Sequence, residues 1–253
     1  MKLTEKISKE ATISFTGMGL GQIFRYLFTT LLARWAGVEL LGIYSIANAV
    51  TRISEVIGTL GLDNGILRSV SQEDNQVEKQ LLIRSALKMG LVSGMAFMLI
   101  QIAIANWLSS YIFHQTSLLT MVISIHALSL PIYILIQISA FSTQGYKLLK
   151  HKIFVSEIQN PLLLLLFMMV FYFSFSAEAA IMLPVVISSV IGLLSINISL
   201  RKVTGVGIFS IMSGKSNRDL LYYSLPLMFM SILGTVIHWV DVIMLGYFTD
   251  TST

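Results

Sequence analysis

MGLVSGMAFMLIQIAIANWLSSYIFHQTSLLTMVISIHALSLPIYILIQISAFSTQGY, residues 89–146, is a run of 58 residues without Asp, Glu, Lys or Arg. A helix that spans a bilayer needs only about 20 consecutive apolar residues, so this run holds two spans and a short turn. A chain in lipid must satisfy its backbone hydrogen bonds internally, which leaves helices or a closed barrel. Long, continuously apolar runs predict helices rather than the short alternating strands of a barrel.

The composition of the whole chain agrees with this interpretation. Of the 253 residues 55% are hydrophobic and only 12% are charged, whereas a soluble domain has about 25% charged residues. We predict an all-α polytopic transmembrane helix bundle with about seven spans. The spans are placed at about 12–34, 41–62, 83–107, 118–142, 154–175, 179–200 and 221–247.

Two features of the connecting segments are predicted as well. Residues 63–80 are the most polar stretch, which predicts a solvated loop with some helix. Pro131 lies inside the fourth span and predicts a kink, because proline removes a backbone hydrogen bond of the helix. No cysteine is present, which excludes disulfides.

The basic residues lie on one side of this predicted topology. Twelve Lys and Arg residues lie in the N-terminus and in the loops on its side, and the opposite loops contain none. Such a bias marks the cytoplasmic side of a membrane protein. We therefore expect a multi-pass protein of the cell membrane, inner or plasma, with a cytoplasmic N-terminus. The net charge of +4 is explained by topology, so no nucleic-acid partner is expected.

A weak internal repeat suggests how the chain is organised. At an offset of 213 residues, Leu20-Gly21 falls on Leu233-Gly234, and the neighbouring aromatic and basic positions also match. Transporters are commonly built from such repeats. We expect the chain to be a fragment or a truncated form that comprises a six-helix N-terminal lobe (1–200), a cytoplasmic interlobe loop (201–219) and the first helix of an incomplete second lobe (220–253).

A few ionisable residues lie within the predicted spans. Arg25 is about 13 residues into the first span and Arg52 about 11 into the second, so both guanidinium groups are expected near mid-bilayer. An arginine there costs about 2.5–3.5 kcal/mol on insertion scales, and each should face a watery cavity or a partner. Glu55 follows Arg52 by three residues, on the same helix face. His238 and Asp241 repeat this basic-then-acidic spacing.

Two interpretations of these charges remain open. The pairs Arg52–Glu55 and His238–Asp241 could only neutralise themselves and fix helix packing. Alternatively, Arg25 and Arg52 form a positive site for an anionic group such as phosphate, which arginine binds in a bidentate manner. Arg25 has no acidic residue within a turn on its own helix, which favours the anion site. The other three residues would then provide cavity charge or ion coupling.

Other chemistry is not indicated by the sequence. Glu157 lies near a predicted span end, where we expect it to be solvated. The glycines at positions 17, 19 and 21 form a small-residue face suited to close helix approach. No Ser/His/Asp set or metal-spaced cluster occurs in the loops. We therefore expect no enzyme activity, no catalytic residue, no bound metal and no cofactor.

Several segments resemble one family of transporters. They are 14–26 (SFTGMGLGQIFRY), 42–44 (GIY), 61–68 (GLDNGILR), 223–226 (YSLP) and 239–247 (WVDVIMLGY). They resemble the polysaccharide-type lipid-linked oligosaccharide flippases of the multidrug/oligosaccharidyl-lipid/polysaccharide exporter superfamily. The resemblance implies two six-helix lobes that face each other across a cavity and work by alternating access. It also implies a polyprenyl-pyrophosphate-linked oligosaccharide as cargo, with Arg25 and Arg52 at positions matching cavity arginines that hold the pyrophosphate.

Three alternatives to a flippase stay open at this point. A multidrug cation antiporter of the same superfamily would need a free buried carboxylate, where this chain has Arg25 and the Arg52-paired Glu55. A membrane-embedded transferase would need acids or histidines in a phosphate–metal pattern, which residues 63–80 do not offer. A non-transporting assembly subunit would need neither. The partners expected are the lipid-linked oligosaccharide, membrane lipid, and a second lobe, a homodimer or polysaccharide-assembly proteins.

Overall fold

The computed structural model describes residues 2–114, 117–208, 210 and 217–248, with side chains described from residue 12 onward. Helices make up nearly all of these ranges, and no strand occurs within them. This confirms the predicted all-α class. The helices are α1 (Lys2–Trp35), α2 (Val38–Thr59), α3 (Leu62–Gln72), α4 (Gln76–Ile112), α5 (Ser117–Ala127), α6 (Leu130–Gly145), α7 (Lys150–Ser174), α8 (Ala177–Thr204) and α9 (Arg218–Phe248).

Six helical segments of the described chain are long and apolar enough to cross a membrane. They are α2, α4, the α5–α6 pair, α7, α8 and α9. The protein is therefore a multi-pass membrane protein, as predicted. The predicted first span lies in α1, which is 34 residues long but is not one of the six. Gln22, Arg25 and the glycines make α1 less apolar than the other long helices.

The polar stretch 63–80 was predicted as a solvated loop with some helix; the helix is confirmed, but the loop is wrong except for three residues. Only residues 73–75 interrupt the helices α3 and α4. Helix α3 forms because Leu62, Ile66 and Val70 recur every four residues and are all fully buried on one face. One amphipathic face is enough to hold a short helix against a bundle.

The predicted kink at Pro131 is present as a break in the fourth span. Helix α5 ends at Ala127, and α6 begins at Leu130 with Pro131 in its first turn. Proline is tolerated there because the first backbone N–H groups of a helix have no partner within it. Ser129 bridges the break, since its hydroxyl donates to the His126 carbonyl at 2.6 Å.

Helix α6 lies at the centre of the bundle and packs against α3, α4 and α8. Two apolar cores meet at this helix. The first joins α6 to α1, α2, α5, α7 and α8, and its fully buried side chains include Leu32, Ile43, Leu119 and Ile123. The second joins α3, α4 and α6, and includes Leu62, Ile66, Ile83, Leu87, Ile134 and Ile138.

The predicted division into lobes stays a prediction. Helix α8 continues to Thr204, past the predicted boundary at residue 200, and ends where Gly205 adopts φ +75°. Helix α9 packs against α2 and α3. Residues 209 and 211–216 of the predicted interlobe loop, and 249–253 of the last segment, lie outside the described residues.

Candidate functional site

A cavity of about 500 Å³ lies between α1, α2, α6, α7, α8 and α9. Its charged lining residues are Arg25 on α1, Arg52 and Glu55 on α2, and Glu157 on α7. His238 on α9 also lines it, as do the hydroxyl-bearing rings of Tyr44 and Tyr133. Four amide side chains also line it, namely Gln22, Asn48, Gln137 and Asn160. The structure thus brings four of the five predicted site residues to one cavity.

Arg25 reaches the cavity from a face of α1 that packs closely against α7. Gly17, Gly21 and Arg25 follow one another at intervals of four residues and therefore share this face. A Cβ atom at Gly21 would overlap the carbonyl oxygen of Glu157, and one at Gly17 would overlap the side chain of Ile153. The prediction of a close-approach face is confirmed for these two glycines. Gly19 faces open space instead.

The close approach brings Arg25 into an ion pair that the sequence did not reveal. Its Nη2 donates to Oε2 of Glu157 at 2.8 Å, and the two side chains are 43% and 25% exposed. Glu157 was expected to be solvated near a span end; it is partly exposed, but it is also bound to Arg25. Arg25 has no acidic partner on its own helix, but it has one on α7.

Glu157 belongs to a π-helical segment, Ile153–Gln159, within α7. In a π-helical turn the backbone hydrogen bonds join residues five apart instead of four, and such turns occur frequently at functional sites. Ser156, Glu157 and Asn160 all line the cavity from this part of α7. Asn160 Oδ1 is buried without a hydrogen-bond partner in the structure.

Arg52 is held from two sides. Its Nη1 donates to Oε2 of Glu55 at 2.7 Å, which confirms the predicted contact between these residues. Its guanidinium carbon lies 4.5 Å from the ring centroid of Tyr133 on α6, a cation–π distance. Glu55 and Tyr133 are each only 4% exposed, whereas the Arg52 side chain is 31% exposed. The guanidinium therefore has a fixed position with one side open to the cavity.

The residues of α9 are arranged differently from the predicted pair. His238 lines the cavity and packs edge-on against Trp239, with ring centroids 5.4 Å apart. Asp241 is exposed and is not one of the lining residues. No ion pair joins the two among the described side chains. The interpretation in which His238 and Asp241 neutralise each other is therefore not supported by these side chains, and the suggested role of the two residues in cavity charge or ion coupling stays a prediction.

The charges of the cavity wall balance one another. Two guanidinium groups face two carboxylates, each pair within 2.8 Å. A guanidinium has five N–H donors in a planar fork, and each ion pair shown here uses one nitrogen. The arginines therefore retain donors for a further anion. In this arrangement each of the two guanidinium groups has a counter-charge and still has free donor capacity.

Comparison with known proteins identifies the family to which the chain belongs. A family model described as "Polysaccharide biosynthesis protein" matches residues 7–253. No curated protein and no solved structure matches the chain. The match covers nearly the whole chain and agrees with the resemblance noted in its sequence. The chain belongs to the polysaccharide biosynthesis protein family.

Proposed function

We propose that this protein acts as a flippase that moves a polyprenyl-pyrophosphate-linked oligosaccharide across the cell membrane for polysaccharide biosynthesis. The observation that carries the proposal is the meeting of Arg25 and Arg52, from two different helices, in one cavity of a multi-pass membrane protein. Arginine at membrane depth is costly and generally marks a functional pathway. Membership of a polysaccharide biosynthesis family supports a substrate of this class.

The parts of such a substrate match the parts of the cavity. The pyrophosphate would bind to the two guanidinium groups, since phosphate oxygens fit the arginine fork. The sugar would contact the lining amides, for example Gln137 and Asn48. The polyprenyl tail would remain in the bilayer. A second lobe, from the same or another chain, would face the cavity and permit alternating access, with the N-terminus on the cytoplasmic side.

The rival transporter function is supported less well by the same geometry. A cation antiporter needs a carboxylate that is free to exchange cations. Both carboxylates that line the cavity in the described part of the chain, Glu55 and Glu157, already bind an arginine. An assembly subunit without transport would have no requirement for either arginine, so mutation distinguishes it.

The test is export of surface polysaccharide by arginine variants in the native host. Arg25→Ala or Arg52→Ala is expected to lower export at least about tenfold, because a hydrogen bond to a charged group contributes about 1.5–3 kcal/mol. Arg34→Ala is the matched control, since Arg34 is an exposed residue of α1 outside the cavity. The amount of each variant in the membrane is measured in parallel. Normal export by both cavity variants would refute the proposal.

A further inference from the structure

The two ion pairs of the cavity differ in how firmly they are built. Arg52 and Glu55 lie on one helix at i, i+3, and Glu55 is 4% exposed. Arg25 lies on α1 and Glu157 on α7, 132 residues apart in sequence, and their side chains are 43% and 25% exposed. One pair is buried and local, and the other is open and joins two helices.

We propose that Glu157 is the exchangeable anion of this site, whereas Glu55 is a fixed positioning residue. Glu157 occupies Arg25 before the substrate binds and leaves it when the pyrophosphate arrives. Glu55 remains on Arg52 and holds that guanidinium over Tyr133. This inference rests on the proposed function, and it adds an internal competitor that regulates the same site.

The physical basis is the different cost of separating each pair. An exposed ion pair contributes little, because water solvates both partners once they separate. A pyrophosphate carries more charge than a carboxylate and can use the arginine fork in a bidentate manner, so it displaces Glu157. Glu55 cannot leave in the same way, because a buried carboxylate without its partner is strongly destabilising.

The exchange also connects the site to the packing of α1. The ion pair is one of the contacts that hold α1 against the π-helical segment of α7, together with those of Gly17 and Gly21. When the substrate takes Arg25, this interface loses its ion pair and keeps its packing contacts, those of Gly17 and Gly21 among them. Binding of the pyrophosphate therefore weakens one helix interface of the cavity wall, which gives substrate binding a direct effect on conformation.

The test measures binding of farnesyl pyrophosphate, with farnesol as the control for hydrophobic partitioning, to the purified full chain in nanodiscs. Glu157→Gln is expected to bind farnesyl pyrophosphate about two- to fivefold tighter than the unmodified protein, the range of an exposed ion pair. Glu178→Gln removes the same charge from an exposed residue at the start of α8 and should leave binding unchanged. Glu55→Gln should not tighten binding.

The outcomes separate the inference from the proposed function. A gain of affinity cannot come from general structural damage, which would lower it. Equal or weaker binding by Glu157→Gln overturns the inference, provided that Arg25→Ala still weakens binding of farnesyl pyrophosphate. Tighter binding by Glu55→Gln, of the same size, overturns the distinction between the two acids. If farnesyl pyrophosphate binds no better than farnesol, or binds independently of both arginines, the proposed phosphate site and the inference both fail.

Discussion

Substitution of Gly21 by alanine tests whether close packing of α1 on α7 builds the site. A Cβ atom at Gly21 would overlap the carbonyl oxygen of Glu157 and lie 3.0 Å from its carbonyl carbon. Because these are backbone atoms, no side-chain rotation relieves the overlap. Carbon atoms pack best at about 3.5–4.0 Å, so α1 would have to move away from α7 by roughly 1 Å. The Arg25–Glu157 contact, now 2.8 Å, would lengthen with it.

The size of the effect follows from comparison with Gly19→Ala. Both substitutions gain the same helix propensity, about 0.8–1 kcal/mol relative to glycine. A Cβ atom at Gly19 meets nothing within 4 Å, so only Gly21→Ala introduces an overlap. Overpacking a tight interface costs about 1–3 kcal/mol. We therefore expect Gly21→Ala to be less stable than Gly19→Ala by this amount.

The assay is thermal unfolding of the purified variants in one detergent. A difference of 1–3 kcal/mol corresponds to a Tm lower by about 2–12 °C for a chain of this size. Gly17→Ala should lie between the two, because its Cβ would meet a side-chain methyl group of Ile153, which is able to move. Equal Tm values for Gly21→Ala and Gly19→Ala would refute the packing argument. Such a result would also remove the structural reason for placing Glu157 beside Arg25.

Two further predictions concern buried polar groups outside the cavity. Burial raises the pKa of Asp63 on α3, more than the Asn64 backbone N–H and Lys152 lower it. A raised pKa in the folded state stabilises the fold below the unfolded pKa, and this contribution is lost as pH rises through the folded pKa. Asp63→Asn should therefore raise Tm at pH 8 and change it little at pH 3.5, whereas a larger gain at pH 3.5 would contradict the assignment. Gln101 on α4 is 1% exposed, and its Nε2 donates to Thr51 Oγ1 at 3.0 Å and to the Ile123 carbonyl at 3.2 Å. Such bonds contribute about 0.6 kcal/mol on average in membrane proteins, so Gln101→Leu should lower Tm by a few degrees at most, and a loss above 10 °C would show a larger role.

The sequence predicted those features that depend on neighbouring residues. Long apolar runs located the spans, because each span is a single continuous segment. The contact between Arg52 and Glu55 followed from a spacing of three on one helix. The helical part of 63–80 was underestimated, although the buried apolar residues of α3 recur every four positions. The count of charged residues in 63–80 outweighed that periodicity and led to the expectation of a loop.

The remaining features depend on how distant helices pack, which the sequence does not state. Arg25 and Glu157 are 132 residues apart, and nothing in their local surroundings indicates a contact. The contact requires α1 to lie along α7 and a π-helical segment to carry Glu157 on the cavity side. The glycine face of α1 showed that some helix would approach closely, but not which one. For His238 and Asp241, by contrast, a spacing of three on one helix did not produce an ion pair.

The balance of charge in the cavity bears on which ligands the site would select. Two unpaired arginines at membrane depth would bind many anions and would be costly to insert. Two fully fixed ion pairs would be stable but would attract no anion. With one fixed pair and one open pair, the site would bind anions selectively, because a ligand would have to compete with Glu157 for Arg25. A monoanion would gain little from exchanging with a carboxylate of similar charge, whereas the proposed pyrophosphate would gain more if it bound to both guanidinium groups. The pairing of Arg25 with Glu157 would thus favour ligands that carry several negative charges.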